Sequence, residues 1–212
     1  MTISDVPTHW AKLWGIDFGI AHPFAVLTAW DRDSDCFYVL DGFKISGGVP
    51  AIHANRMNAI ARGCPVAWPH DGSTREKGSG QTLASIYKRE GLLMLGSHAA
   101  FPDGSISTEG GILDTLTRMR DGRFKVAAHL LAGDWGDEFR GYHRKDGEIV
   151  KLNDDMLSAT RIATMMRRFA KPVDVSGARY SKIVNPQNPT SRAYSSDFNL
   201  FTRRPFEPGE RP

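Results

Sequence analysis

The feature that most constrains the fold is a short apolar run, LWGI at residues 13–16, which ends in a single carboxylate, Asp17. Such a run is typical of a buried strand, and the Phe18-Gly19 pair that follows breaks it. An unpaired charge at the end of a buried strand is costly. Asp17 is therefore expected either to lie in a turn before Gly19 or to face a cation, which would be a basic side chain or a metal ion.

Two further strands are predicted directly after this run. Residues 24–30 (FAVLTAW) and 36–45 (CFYVLDGFKI) are rich in aromatic and β-branched residues, and a polar segment at 31–35 separates them. A short polar connection is typical of neighbouring antiparallel strands. We therefore predict a three-strand antiparallel meander.

Helical and strand patterns alternate over the rest of the chain. Helices are predicted at 49–63, 80–91, 107–124, 133–144 and 154–170, with short strands at 65–69, 92–96 and 124–129 and a turn or hairpin at 146–155. This order predicts an α/β fold with a mixed central sheet, led by the antiparallel meander, and with helices on both faces.

Length and charge suggest one domain with a tail. We predict a leader at 1–12, a folded domain at 13–171 and a flexible basic tail at 172–212, where Pro, Ser, Asn and Arg dominate. Residues 171–212 hold seven basic and four acidic residues, so they carry the whole formal net charge of +3. Any nucleic-acid surface on the domain must therefore consist of local patches. The sequence has no signal peptide and no run of 18 apolar residues, so we predict no membrane association.

Further acids stand at the ends of other predicted elements. Asp71 follows the apolar run 65–69, and Asp154 and Asp155 begin the helix 154–170. Each also has an ordinary interpretation, because Asp-Gly is a common turn pair and Asp is a common helix cap. We take Asp154 as the cap and Asp155 as the acid that faces the sheet, although the two could be exchanged.

Taken together, the acids predict a divalent metal site. Ligands of open α/β sheets bind beyond the carboxyl ends of the strands, and acids gathered there repel one another unless hard cations lie among them. Mg²⁺ and Mn²⁺ prefer carboxylate oxygens, and two such ions about 4 Å apart can promote phosphodiester displacement. A leading meander with an acid on its first strand, an acid after a later strand and an acid on a late helix is the order of the ribonuclease H superfamily.

Four segments carry a more specific resemblance. They are GIDFG with the following HP (15–23), AWPHDGSTREKGSGQTLA (67–84), GRFKV (122–126) and NDDMLSATRIATMMRRFA (153–170). In this order they resemble the C-terminal nuclease half of the large terminase subunit of tailed bacteriophages, over about residues 13–171.

The resemblance implies a ribonuclease H-like fold and a nuclease with two divalent ions, Mg²⁺ or Mn²⁺, that cuts concatemeric viral DNA as the capsid is filled. It implies that Asp17, Asp71 and Asp155 are catalytic metal ligands, with Asp154 as the alternative helix acid. Many relatives place another Asp where Ser158 stands, and here that position cannot be a carboxylate ligand.

The same resemblance implies the partners. Full-length large terminases also carry a packaging ATPase, but this sequence has no GxxxxGK[ST] phosphate loop. We therefore expect double-stranded DNA, the ATPase domain of the same parent protein, the small terminase subunit and the portal as partners, in the host cytoplasm during phage assembly.

Basic residues near the predicted site are candidate DNA contacts. Lys77 and Arg75 follow Asp71, and Arg168 lies at the end of the last helix, although each is equally explained as a solvated charge. We expect the side chain of His70 to point away from that of Asp71, because neighbours on a strand face opposite sides.

Three alternatives remain open at this point. A junction resolvase or transposase would share the acids and the metals. An actin-like ATP-binding domain also opens with a GIDFG-type strand before a meander, although 212 residues are few for its two lobes. A non-enzymatic DNA-binding adaptor would use the acids only as caps and turns.

Overall fold

The computed structural model describes residues 3–18, 24–45, 49–75, 80–150 and 154–175, together with the backbone of two short paired strands, Phe198–Asn199 and Arg204–Pro205. Backbone contacts divide the chain into two units, Met1–Ala178 and Arg179–Pro212. The two short strands belong to the second unit, and all other described residues belong to the first. Within the described part of the chain, no helix has the length and apolar character needed to cross a membrane.

The predicted meander is confirmed. Strands β1 (Ala11–Asp17), β2 (Phe24–Asp31) and β3 (Cys36–Lys44) pair in antiparallel order. β1 begins two residues before the predicted boundary at 13, and the buried Lys12 side chain donates hydrogen bonds to three carbonyl oxygens of the preceding segment.

The predicted helices and strands follow in the predicted order with shorter bounds, and the hairpin begins at Arg144 instead of 146. The elements are α1 (Pro50–Ala61), β4 (Pro65–Ala67), a 3₁₀ turn (His70–Ser73), α2 (Leu83–Arg89), β5 (Leu93–Met94), α3 (Thr108–Arg120), β6 (Phe124–Val126), α4 (Ala128–Leu131), α5 (Asp134–Gly141), β7 (Arg144–Lys145), β8 (Glu148–Ile149), α6 (Asp155–Met166), a second 3₁₀ turn (Arg167–Phe169) and β9 (Lys171–Pro172). Of these, α4, β9 and the two 3₁₀ turns are additional to the predicted elements. The sheet order is β5-β4-β1-β2-β3-β6, and β9 also pairs with β1. β4, β5 and β6 run parallel to their neighbours, so the sheet is mixed as predicted.

Beyond the meander, the sheet departs from prediction in two places. The strand expected at 124–129 stops at Val126, and α4 follows at once. Lys171–Pro172 pairs with β1, and Val175 is buried, so folded structure continues into the segment predicted as tail. The domain boundaries themselves stay a prediction.

Helices cover both faces of the sheet. α6 packs on β1 and β2, and α3 and α5 pack on α6. On the opposite face, Trp14 contacts Phe43, which in turn contacts His53 of α1. Because side chains alternate along a strand, Leu13 and Gly15 face α6 while Trp14 faces α1.

The contact between β1 and α6 is close because residue 15 is a glycine. A Cβ atom at Gly15 would lie 2.2 Å from the carbonyl oxygen of Ala159, so a larger residue would force the helix away. Asp17 lies two residues further along the same face of β1, and Asp155 lies one helical turn before Ala159. Two strand residues and one helical turn advance by similar lengths, about 6 Å. The strand period therefore directs the Asp17 side chain towards the N-terminus of α6.

Candidate active site

A polar cleft of about 320 Å³ opens where β1 and β4 end. β1 and β4 are parallel neighbours, so their carboxyl ends meet at one edge of the sheet. The N-terminus of α6, the first residue of α3 and the residue after α5 complete the walls. The cleft is lined by Asp17, Pro69, His70, Asp71, Thr108, Tyr142, Asp154, Ser158 and Arg161.

The pKa of Asp17, the acid at the end of β1, is strongly raised. Its pKa is raised to about 6, first by burial and then by the negative charges of Asp71 and Asp155, with a smaller contribution from Asp154. Arg161 acts in the opposite direction and lowers this pKa. The sequence therefore brings acids from β1, the 3₁₀ turn and α6 close enough for their charges to repel.

The two acids at the start of α6 have different positions. Asp154 occupies the predicted N-cap position, but its side chain makes no capping hydrogen bond. Instead Asp154 lines the cleft. Asp155, at the first helical position, has the larger effect on the pKa of Asp17. Both acids therefore stay candidates for the ligand of the predicted metal site.

Glu138 of α5 provides the missing cap. One of its carboxylate oxygens accepts a hydrogen bond of 3.0 Å from the backbone N–H of Leu157 in the first turn of α6. Burial raises the pKa of Glu138 to about 7; backbone hydrogen bonds from Leu157 and Met156 oppose this shift, and the charges of Asp155 and Asp154 add to it. Sequence reasoning missed this acid because its partner lies 19 residues away.

The structure also corrects the expected orientation of His70. His70 and Asp71 lie in a 3₁₀ turn rather than on a strand, so neighbouring side chains do not alternate between two faces. Both line the cleft. The turn is closed by a backbone hydrogen bond of 2.8 Å from the Thr74 N–H to the Asp71 carbonyl oxygen.

Two of the three predicted DNA contacts, Arg75 and Arg168, lie outside this set of residues. Arg75 is exposed in the loop after the 3₁₀ turn and forms an isolated bridge with Thr82. Lys77 falls outside the described residues. Arg168 lies about 20 Å along the helix axis from Asp155, and it donates hydrogen bonds to the carbonyl oxygens of Met165 and Ala100. Contact of these residues with DNA stays a prediction.

Arg161 is a cleft residue for which the sequence patterns predicted no role, although it lies within the segment 153–170. It is half-buried on α6, and its positive charge interacts with Asp17, Tyr142 and Asp154. The signal in the sequence was its spacing of seven residues from Asp154 and three from Ser158, which places these residues on one face of a helix.

The donor chemistry of the cleft fits a hard divalent cation better than a soft one, because carboxylate oxygens dominate and no cysteine is present among the lining residues. Within the described residues, no three acidic, imidazole or thiol groups already lie close enough to hold one ion together. The repulsion that raises the pKa of Asp17 is nevertheless the electrostatic condition that a bound cation relieves.

Comparisons with known proteins agree with this architecture. Residues 14–167 match the family described as the terminase RNaseH-like domain. The large terminase subunit of Salmonella phage P22 is 41% identical over 191 residues, which cover 89% of this chain and 38% of that protein. The chain thus spans well under half of the length of that relative.

Solved structures show the same fold. The nuclease domain of the P22 large terminase matches with a TM-score of 0.72 and 41% identity, over 79% of this chain and 86% of that one. The large terminase nuclease domain of bacteriophage SPP1 matches with a TM-score of 0.53 and 17% identity, over 79% of this chain and 92% of that one. The ribonuclease H-like fold expected from the order of the acids is therefore confirmed, and the chain belongs to the terminase RNase H-like domain family.

Proposed function

We propose that this chain is a metal-dependent DNA endonuclease and that it cuts concatemeric viral DNA during genome packaging, as the nuclease part of a longer large terminase subunit. Its membership of the terminase family and its 41% identity to the P22 nuclease domain support the reaction class. Because the chain spans 38% of the P22 protein, the role of the parent protein is part of the proposal.

The observation that carries the proposal is the perturbed carboxyl group of Asp17. After burial, acids from two other elements, Asp71 of the 3₁₀ turn and Asp155 and Asp154 at the start of α6, raise its pKa to about 6, and the charge of Arg161 opposes them. An arrangement that costs stability in the free protein is typical of a site built for a ligand. The ligand that removes this cost is a cation.

We propose that Asp17, Asp71 and Asp155, with Asp154 as the alternative to Asp155, hold two divalent ions, Mg²⁺ or Mn²⁺. The SPP1 nuclease domain, which shares the fold, was solved with manganese bound. Two such ions supply activation of the attacking water and stabilisation of the leaving 3′ oxygen of a phosphodiester.

The chain's own residues prepare this chemistry. Asp17 must be ionised to act as a ligand, so its pKa of about 6 makes the cleft competent above that pH. Glu138 caps α6 through the Leu157 N–H, which leaves the Asp154 side chain directed into the cleft. His70 lies beside Asp71 on the wall, where an imidazole can orient a water molecule.

The expected partners follow from the family. Double-stranded DNA is the proposed substrate, and the proposed assembly contains the packaging ATPase domain of the same parent protein, the small terminase subunit and the portal. We place this assembly in the host cytoplasm. Arg75, Lys77 and Arg168 stay proposed DNA contacts, and of these Arg75 and Arg168 are not among the residues that line the cleft.

Cleavage of a supercoiled plasmid tests the proposed activity. The 212-residue chain is incubated with EDTA, Mg²⁺ or Mn²⁺, beside Asp71→Asn and the control Asp137→Asn, whose exposed side chain pairs with Arg140 on α5. We expect metal-dependent nicking and linearisation, reduced at least about 100-fold by Asp71→Asn and unchanged by the control. Equal cutting by Asp71→Asn and the wild type would refute the assignment of the site, and preferential cutting of branched DNA would favour a junction resolvase.

A further inference from the structure

Arg161 has an unusual environment for a half-buried arginine. The comparably buried arginines Arg118 and Arg167 both form ion pairs with Asp114. Within the described part of the chain, every ion pair involves a basic group other than Arg161, and no hydrogen bond from its guanidinium to a described residue is formed. Among the described residues, its donors therefore have no close acceptor where they border the cleft.

The attraction that Arg161 experiences is long-range. Burial lowers the pKa of its guanidinium, and the charges of Asp17, Tyr142 and Asp154 partly restore it. A guanidinium presents five N–H donors in a planar fork, and this fork fits two oxygens of a phosphate or carboxylate. The guanidinium borders the cleft, so these donors are available to an anionic ligand that enters it.

A glycine on α3 makes room for this side chain. A Cβ atom at Gly111 would lie 2.7 Å from Cγ and 2.9 Å from Cδ of Arg161. These two atoms belong to the middle of the side chain, so a methyl group at residue 111 would displace its whole outer half. Gly111 itself is buried and does not line the cleft. The close approach of α3 and α6 at this point therefore sets the path of the Arg161 side chain.

We propose that Arg161 is a phosphate-binding residue, held in place by Gly111, that grips a backbone phosphate of the nucleic acid inside the cleft. The inference rests on the proposed function, because that function supplies a phosphodiester as the ligand. In the proposed function, metal ions held by the acidic side chains would contact the oxygens of the reacting phosphate. Arg161 would donate directional hydrogen bonds to a phosphate, which carboxylates cannot do.

A purely internal role for Arg161 makes different predictions. If Arg161 only balanced the charge of Asp17, its removal would raise the pKa of Asp17 further and lower stability, but DNA affinity without metal would not change. If it binds phosphate, its removal weakens DNA binding and reduces the number of ions released on binding.

The test measures DNA binding by fluorescence anisotropy in EDTA over a range of salt concentrations, so that no metal and no cutting are involved. The variants are Arg161→Gln, Gly111→Ala, the double variant, and Arg140→Gln as a control that removes an exposed charge on α5. Circular dichroism and thermal unfolding verify that each variant is folded.

We expect Arg161→Gln to weaken binding about tenfold and to reduce the slope of log affinity against log salt by about one. Gly111→Ala keeps the charge but moves the side chain, so it weakens binding in the same direction, and the double variant binds no more weakly than Arg161→Gln. The control Arg140→Gln retains the affinity of the wild type. An affinity and slope for Arg161→Gln equal to those of the control would overturn the proposal, as would additive effects in the double variant.

The same preparations separate this proposal from the proposed function. If the wild type binds DNA through Arg161 but cuts no plasmid with any metal, the endonuclease proposal fails and the phosphate-binding role stands. If the wild type cuts with Mn²⁺ and Arg161→Gln cuts and binds equally well, the phosphate-binding role fails and the endonuclease proposal stands.

Discussion

Two groups of charged side chains lie at opposite ends of the same helix and sheet. They differ in whether the buried charges have oppositely charged partners. The first, the paired cluster, lies near the β2–β3 turn and the end of α6, and it consists of Asp35, Asp114, Arg118, Arg123 and Arg167. Arg118 lies 3.2 Å from Asp35 and 3.4 Å from Asp114, and Arg167 lies 2.7 Å from Asp114. The second group is the acids of the cleft, with Arg161.

The pKa values separate the two groups. Burial would raise the pKa of Asp35, but hydrogen bonds from Arg118 and Trp30 dominate and lower it. In the cleft, burial and neighbouring acids together raise the pKa of Asp17 to about 6. The acids of the paired cluster are therefore satisfied by basic side chains, whereas we propose that a cation satisfies the acids of the cleft. Basic side chains form direct ion pairs with the acids of the paired cluster. In the cleft, Arg161 is the basic lining residue that acts on Asp17, and it does so without a direct ion pair between described residues.

The largest expected effect on stability comes from breaking the paired cluster. Arg118→Met removes a guanidinium whose side chain is 6% exposed and which contacts both Asp35 and Asp114. We expect the free energy of unfolding to fall by about 3 kcal/mol, with no change in the response to divalent metal. Urea denaturation measures the loss, and Arg140→Met, which breaks an exposed pair, is expected to cost under about 0.5 kcal/mol.

Removing a charge from the cleft is expected to raise the free energy of unfolding, whereas breaking the paired cluster lowers it. Asp17→Asn abolishes a buried carboxylate whose pKa rises from 3.8 to about 6 on folding, so we expect the metal-free protein to become more stable by up to about 2 kcal/mol at pH 8. The same variant is expected to lose plasmid cutting. A metal-free Asp17→Asn protein that is less stable than the wild type at pH 8 would contradict this account of the cleft.

The pH dependence of that difference follows from the direction of the shift. The folded state holds the Asp17 proton more tightly than the unfolded state, so the contribution of Asp17 to stability is fully present below about pH 4 and is lost as pH rises through 6. The stability difference between Asp17→Asn and the wild type is therefore expected to vanish near pH 4 and to reach its full size above pH 7. Urea denaturation at a series of pH values measures it.

The smallest expected effect concerns the cap of α6. Glu138→Ala removes the acceptor of the Leu157 N–H, and we expect a loss of about 1 kcal/mol in the free energy of unfolding. Glu138→Gln retains an acceptor oxygen and removes a charge that the raised pKa of Glu138 shows to be unfavourable above about pH 7, so it is expected to lose less than Glu138→Ala and to lose nothing at pH 8. The order of the two variants in thermal unfolding is the diagnostic result, and equal losses would show that the charge rather than the hydrogen bond matters.

Local patterns in the sequence were sufficient for much of the fold. The alternation and composition of β1, β2 and β3 predicted the meander, and the position of Asp17 at the end of an apolar run placed it at the edge of the sheet. The apolar side of residues 154–170 predicted α6. Each of these features depends on residues within one or two neighbouring elements.

The features that were missed depend on contacts between distant elements. Glu138 replaces Asp154 as the cap because α5 packs against the start of α6, which no local pattern reveals. His70 lines the cleft because the chain turns into a 3₁₀ helix directly after β4. Arg161 looked like an ordinary helical arginine in sequence, and its role in the cleft depends on the close approach of α3 at Gly111.

Calorimetric titration of the metal-free 212-residue chain with Mn²⁺ at pH 7.5 tests the central claim most directly, with Asp17→Asn as the variant and Asp114→Asn of the paired cluster as the control. The account predicts binding by the wild type and the control, loss of that binding in Asp17→Asn, and weakening of wild-type binding as pH is lowered through 6. Binding of Mn²⁺ by Asp17→Asn with the affinity of the wild type would contradict the account.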